Sequence, residues 1–159
     1  MHRSAAGRPN ETGWYEATST KGKFTVLLPG AFNDFTTSGP AKDGGIFELH
    51  TVGMITDKKA KFSAMGGTGD SEHREQGGLE EFVKSFEKTG KIGNKKTVTL
   101  DGVPGMEFTV RDEDNGATFR VYLKDETIYQ LIVEYPIRLE KELKPDIDRF
   151  MNSLKIPKM

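Results

Sequence analysis

Residues 97–133 read TVTLDGVPGMEFTVRDEDNGATFRVYLKDETIYQLIV, and this stretch decides the fold. Thr97, Val98, Thr99 and Leu100 favour a strand that stops at the turn Asp101-Gly102. Met106, Phe108 and Val110 then alternate with Glu107, Thr109 and Arg111. Asp114-Asn115-Gly116 carries Asn-Gly, the strongest short hairpin signal, because both central residues of a type I′ turn need positive φ. Phe119, Val121 and Leu123 alternate with Thr118, Arg120 and Tyr122, and Asp125-Glu126 turns the chain again. Tyr129, Leu131 and Val133 alternate with Ile128, Gln130 and Ile132. Alternation interrupted by short turn signals predicts an antiparallel meander. Its last strand is apolar on both sides, which places it centrally in the sheet.

Upstream, Trp14 to Thr18 is short and rich in strand formers, and Lys21-Gly22 marks a turn. Phe24, Val26 and Leu28 share one face of a second strand, which Pro29-Gly30 stops. Residues 31–45 contain Gly39, Pro40, Gly44 and Gly45 and read as a loop. Ile46 to Val52 resumes strand character, Asp57-Lys58-Lys59 turns, and Lys61 to Met65 forms a partner strand. Residues 66–78 form a polar loop framed by glycines. Leu79, Phe82, Val83 and Phe86 fall at i, i+3, i+4 and i+7, one apolar stripe of a helix that Gly90 ends. Glu80 and Glu81 in its first turn, with Lys84 and Lys88 later, suit the helix dipole.

Downstream, Leu139, Leu143, Ile147, Phe150, Met151 and Leu154 make a second stripe. Pro145 interrupts it; a proline costs about 3 kcal/mol inside a helix but little in its first turn. The sequence therefore predicts a short turn at 138–143 and a main helix from Pro145 to Leu154. Strands, helix, meander and helix in that order predict an α+β fold, an antiparallel sheet of about six to seven strands flanked by helices. Residues 13–157 form one domain, and the polar segment 1–12 reads as a disordered tail.

Composition narrows function by exclusion. The chain has 159 residues, 35% of them hydrophobic and 30% charged, with 23 basic against 24 acidic and a net charge of -1. Such a balance lacks the basic excess of a dedicated nucleic-acid binder. The absence of cysteine rules out disulfides, thiolate metal sites and a cysteine nucleophile. No apolar run approaches the roughly 20 residues of a membrane-spanning helix. The first residues hold basic groups but no apolar core of a secretory signal. Two readings stay open: an exported protein whose leader is missing from this sequence, and a cytosolic protein.

Several strings resemble the PsbP-like fold, which includes the PsbP extrinsic protein of photosystem II, the Ran-binding import factor Mog and DcrB-type lipoproteins. Trp14 and Phe24-Thr25-Val26-Leu27-Leu28-Pro29-Gly30 resemble its first hairpin. Leu100-Asp101-Gly102-Val103-Pro104-Gly105-Met106-Glu107 resembles an "LxGxPGxE" turn of uncharacterised bacterial members. Phe119-Arg120-Val121-Tyr122-Leu123, Ile128-Tyr129-Gln130-Leu131 and Phe150-Met151-Asn152-Ser153-Leu154-Lys155-Ile156 resemble their closing strands and helix. The resemblance runs from Trp14 to Ile156 and carries no catalytic motif. It implies an α-β-α sandwich and a role in docking on a partner protein, in bacteria often at the envelope, which favours the exported reading. The lipid-attachment cysteine of anchored members is absent here.

The candidate sites are few. The 66–78 loop precedes a helix as a phosphate loop does, but it lacks Gly-Lys-Ser/Thr, and Asp70, Glu72 and Glu75 would repel phosphate. Asp70, Glu72, His73 and Glu75, with His50 from a neighbouring strand, are the weak metal candidates, against the default of a solvated acidic loop. Asp112 to Gly116 has the acidity of a calcium loop, but its glycine comes one position early and its twelfth position is Leu123. Lys84, Lys88, Lys91, Lys95 and Lys96 form a basic cluster at the end of the first helix, suited to an acidic partner surface, to anionic lipid headgroups or simply to solvent. Trp14, Tyr15, Arg120 and Tyr122 are further surface candidates, unless a helix covers the face that bears Arg120 and Tyr122 and makes Tyr122 core. There is no G-x-S-x-G and no H-E-x-x-H. The expected function is a non-enzymatic binding or accessory domain with no cofactor and a protein partner. The alternative is a small-ligand or metal carrier using the 66–78 loop.

Overall fold

The computed structural model describes residues 13–40, 46–56, 58–68, 90–124 and 127–156. Strands β1 (Tyr15–Ser19) and β2 (Phe24–Leu28) form a hairpin. Strands β3 (Asn33–Pro40), β4 (Ile46–Ile55), β5 (Lys61–Thr68), β6 (Lys91–Leu100), β7 (Val103–Arg111), β8 (Asn115–Lys124) and β9 (Thr127–Pro136) form one antiparallel sheet. Its order is β3-β4-β5-β9-β8-β7-β6. The meander β6 to β9 is formed as its alternation predicts, and β9, apolar on both faces, is the central strand. A 3-10 turn (Ile137–Leu139) leads into helix α1 (Glu140–Met151).

The hairpin and α1 lie on the same face of the sheet. Phe24, Val26 and Leu28 from β2, Tyr122, Tyr129, Leu131 and Val133 from the sheet, and Leu143, Ile147 and Phe150 from α1 bury into one core. Phe150 meets Phe62 edge-on at 5.4 Å. The opposite face carries a second cluster, Phe108, Val110, Phe119, Val121 and Ile128, in which Phe108 and Phe119 stack with centroids 4.9 Å apart. Successive side chains of a strand point to opposite faces, so the alternation read in the sequence divides these two clusters.

The segment after the helix closes the fold through four hydrogen bonds to backbone groups. Ser153 Oγ donates to the carbonyl of Phe150 and accepts from the amide of Leu27. Thr25 and Lys155 exchange backbone hydrogen bonds at 2.8 and 2.9 Å. The Phe150-to-Ile156 string thus pins the helix terminus to β2.

Five expectations need correction. Residues 33–40, expected as loop, are the edge strand β3; both of its faces are largely exposed, so burial imposes no alternation on its sequence. Gly66, Gly67 and Thr68, expected in a loop, belong to β5. A side chain at Gly66 would strike the Gly22 carbonyl and the Phe24 ring of the hairpin above it. The hairpin turn before β8 is not at Asn115-Gly116, which already pair with Pro136 and Tyr135. It is an Asx turn in which Asp112 accepts from the amides of Asp114 and Asn115 at 2.9 and 2.7 Å. Backbone N–H groups hold the Asp112 carboxyl below its ordinary range, that of Asn115 contributing most. Positive φ occurs instead at Asp101 (50°) and Gly102 (84°).

The closing helix starts at Glu140 and contains Pro145 in its interior. Pro145 removes a hydrogen bond to the carbonyl of Lys141. Both residues are exposed, so water can take that partner's place. The continuous docked stripe of Leu143, Ile147, Phe150 and Met151 offsets the cost. Finally, Lys91, Lys95 and Lys96, expected in a cluster with the first helix, belong to β6, the other edge strand. The helix expected at residues 79–88, the turn Asp125-Glu126 and the tail 1–12 lie outside the described residues.

Candidate functional site

Strands β6, β7 and β8 and helix α1 enclose a polar cleft of about 240 Å³. Its walls follow from register. Glu107 lies opposite Arg120 across β7 and β8, and Lys96 lies opposite Glu107 across β6 and β7. All three therefore face the helix.

Each end of the helix is held by an arginine–carboxylate pair. At the C-terminal end, Arg120 donates from Nε (3.0 Å) and Nη2 (2.5 Å) to Glu107 Oε1. Its Nη1 donates to the carbonyl of Met151 at 3.1 Å and to Asn152 Oδ1 at 2.9 Å. Lys96 Nζ lies 3.0 Å from the other Glu107 oxygen. A guanidinium beside terminal carbonyls complements the negative end of the helix dipole. At the N-terminal end, Arg111 makes a bidentate pair with Glu140, both bonds 2.9 Å. Tyr135 donates its hydroxyl to Glu140 at 2.9 Å and lies 3.1 Å from Thr118 Oγ1.

These pairings set the ionisation. Burial alone would raise the Glu107 carboxyl, but hydrogen bonds from Arg120 and Lys96 outweigh it and hold it below its ordinary range. The Arg111 hydrogen bonds hold Glu140 low against a smaller effect of burial. Burial pushes the Tyr135 hydroxyl up to about 12, with the Thr118 hydrogen bond opposing and the Glu140 carboxylate adding to the rise. Burial likewise raises Tyr122 and Tyr129. None of these groups is poised between acid and base near neutral pH, where general catalysis needs it. The cleft is a clamp on the helix.

Stability inherits a definite pH dependence. Glu107 and Glu140 have depressed folded-state values, so their contribution is present above the ordinary carboxylate range and is lost as pH falls through it. Tyr135 is raised, so its contribution is complete below its ordinary value of 10 and is lost as pH climbs toward 12. Urea midpoints are expected to fall from pH 6 to pH 3 and again above pH 10; Tyr135→Phe should flatten part of the alkaline limb and, to a smaller extent, the acid limb, because its hydroxyl also helps hold Glu140 low.

Arg120 and Tyr122 are thus not a contact surface. The covered alternative is the one observed: the Arg120 side chain is 12% exposed, and Tyr122 is 2% exposed beneath α1. Trp14 is also core, with the Arg149 guanidinium 4.5 Å above its ring. His50 is buried on β4, 2.9 Å from Thr36 Oγ1 and 3.5 Å from Glu48. Asp70, Glu72, His73, Glu75, Lys84 and Lys88 lie outside the described residues. Among the described residues, no group of three or more His, Asp or Glu is arranged to hold a metal ion. No described helix is long and apolar enough to cross a membrane.

Lys91 and Lys95 remain exposed on the outer strand β6, and Lys96, although paired with Glu107, is 60% exposed at its side chain. The register slips between Gly93 and Lys96, and Asn94 takes a φ of 52° there. This bulge inserts extra chain into the edge strand and twists it locally. The clamp residues Glu107, Arg111, Tyr135 and Glu140 were not singled out from sequence. The available signal was the polar alternation Glu107-Thr109-Arg111 facing Thr118-Arg120-Tyr122, with opposite charges at paired positions.

A second concavity, a groove of about 850 Å³, opens at one end of the other sheet face. Ile55, Val110, Ala117 and Phe119 supply apolar walls, and Lys61 and Glu134 form a loose exposed pair at its rim, 3.8 Å apart.

No family model matches the chain, and no curated protein matches it. Among solved structures, the chain is similar to the solution structure of cyanobacterial PsbP (CyanoP) from Synechocystis sp. PCC 6803. The TM-score is 0.56 at 12% identity, over 96% of this chain and 98% of that one. The fold is PsbP-like.

Proposed function

We propose that this PsbP-like chain is a non-catalytic docking module that presents the lysines of β6 to an acidic surface of a partner protein. The observation that carries the reading is how charge is divided. In the helix–sheet cleft, Glu107, Arg111, Arg120, Tyr135 and Glu140 are engaged with one another. Lys91 and Lys95 stand exposed on the outermost strand, next to a bulge. Clustered exposed charge steers association and favours a partner of opposite sign.

Affinity capture from native extract with the wild-type chain and with Lys91→Glu/Lys95→Glu tests it. The wild type is expected to retain one stoichiometric partner, and the charge-reversed protein to lose it while melting at the same temperature. Equal recovery by both proteins would place the surface elsewhere.

The carrier reading rests on residues 66–78, of which Gly66, Gly67 and Thr68 are taken up by β5. A native-state ligand raises the melting temperature by mass action. The docking reading predicts no rise with millimolar divalent metals; a clear rise would favour the carrier.

A further inference from the structure

The two edges of the large sheet differ in kind. β6 is bulged and bears Lys91, Lys95 and Lys96. Lysines and bulges are what natural sheets use to block pairing along an edge. β3 has neither. Its register against β4 runs without interruption from Asn33↔Gly53 to Pro40↔Ile46. From Asn33 to Gly39 it has a single ionisable side chain, Asp34, and Pro40 stands only at its end. Phe35 is 51% exposed, and Thr36, Thr37 and Ser38 are exposed. The Thr36 hydroxyl lies 2.9 Å from buried His50, which ties the strand to the sheet. An unbulged, nearly neutral and exposed edge strand is a template for another strand.

We infer that β3 pairs with β3 of a second copy of this chain, antiparallel across a two-fold axis. The contrast between the edges selects this occupant. A β3–β3 pair is isologous and closes on itself. It joins the two sheets and leaves a lysine-bearing, bulged β6 at each outer end. Stacking β3 onto β6 would be head-to-tail and open-ended, and the β6 bulge and lysines oppose it. Near-neutrality permits the self-pairing, since like charges directly opposite each other destabilise a ladder. One strand pair with little flanking contact is a small interface, so the dimer forms weakly and with concentration.

Sedimentation velocity from about 5 to 500 µM, a range suited to weak interfaces, tests this. The wild-type mass is expected to rise toward two chains and stop there. Phe35→Lys/Thr37→Lys places lysines on exposed positions of one strand face and should return the mass to one chain, with the melting temperature unchanged. Ser38→Lys serves the same purpose if the double variant does not fold. Lys91→Glu/Lys95→Glu should leave the dimer intact, which separates this inference from the docking reading. A wild type of one-chain mass throughout would overturn it, as would growth beyond two chains or a dimer that survives the β3 lysines.

Discussion

Arg120→Met is expected to lower the stability of the fold by about 3 kcal/mol, the scale for breaking a largely buried ion pair. The substitution leaves the Glu107 carboxylate with Lys96 alone and strips the Met151 carbonyl and Asn152 of a donor. Lys96 compensates little, because its ammonium is mostly in water. The loss should appear as a reduced urea midpoint at pH 7. Glu107→Met/Arg120→Met should recover part of it, since an apolar pair of similar volume leaves no buried charge unmatched. A loss below about 1 kcal/mol, the range of exposed pairs, would mean that the clamp is not part of what holds α1 down.

Gly105→Val should cost a similar amount, about 3 kcal/mol or more, by overpacking. A Cβ at Gly105 would lie 2.5 Å from Tyr122 Cδ1 and 2.6 Å from the Val121 carbonyl oxygen. The ring can move only into the core beneath α1, and the carbonyl belongs to the strand paired with β7. Gly102→Ala is the matched control. Gly102 has a φ of 84° with nothing within 4 Å of its would-be Cβ, so only the left-handed backbone cost of about 1–2 kcal/mol applies. Urea unfolding of the two variants should therefore separate steric from conformational glycine. Equal losses would contradict the close approach of β7 to Tyr122.

The meander was legible because β7 and β8 each carry an apolar row on one face and a largely polar row on the other, which writes period 2 into Met106-Phe108-Val110 and Phe119-Val121-Leu123. β3 was not, because neither of its faces is buried and its residues answer only to pairing with β4. β6 was half legible: Thr97 to Leu100 shows strand formers, whereas Lys91 to Lys96 is bulged and exposed. The Asn-Gly signal misplaced its turn because Asp112 supplied a side-chain acceptor three residues earlier. Pro145 misplaced the helix start, because local propensity carried no information about the apolar stripe that docks across it. The clamp is a product of register: Glu107 and Arg120 are thirteen residues apart in sequence, and only the β7–β8 hairpin makes them neighbours. The strings that resemble those of PsbP-like proteins gain a physical meaning from the same geometry. Gly105 admits Tyr122, Glu107 holds Arg120, Arg120 reaches Met151 and Asn152, and Ser153 ties the helix end to β2.

The most direct test of docking is the dissociation constant of the captured partner, measured by calorimetry at low and high salt. Exposed charges are screened within about 10 Å at 0.1 M salt. The docking reading predicts that wild-type affinity falls at least tenfold as salt rises from about 50 to 300 mM, and that Lys91→Glu/Lys95→Glu binds weakly at both. An affinity that ignores salt and survives the charge reversal would contradict it.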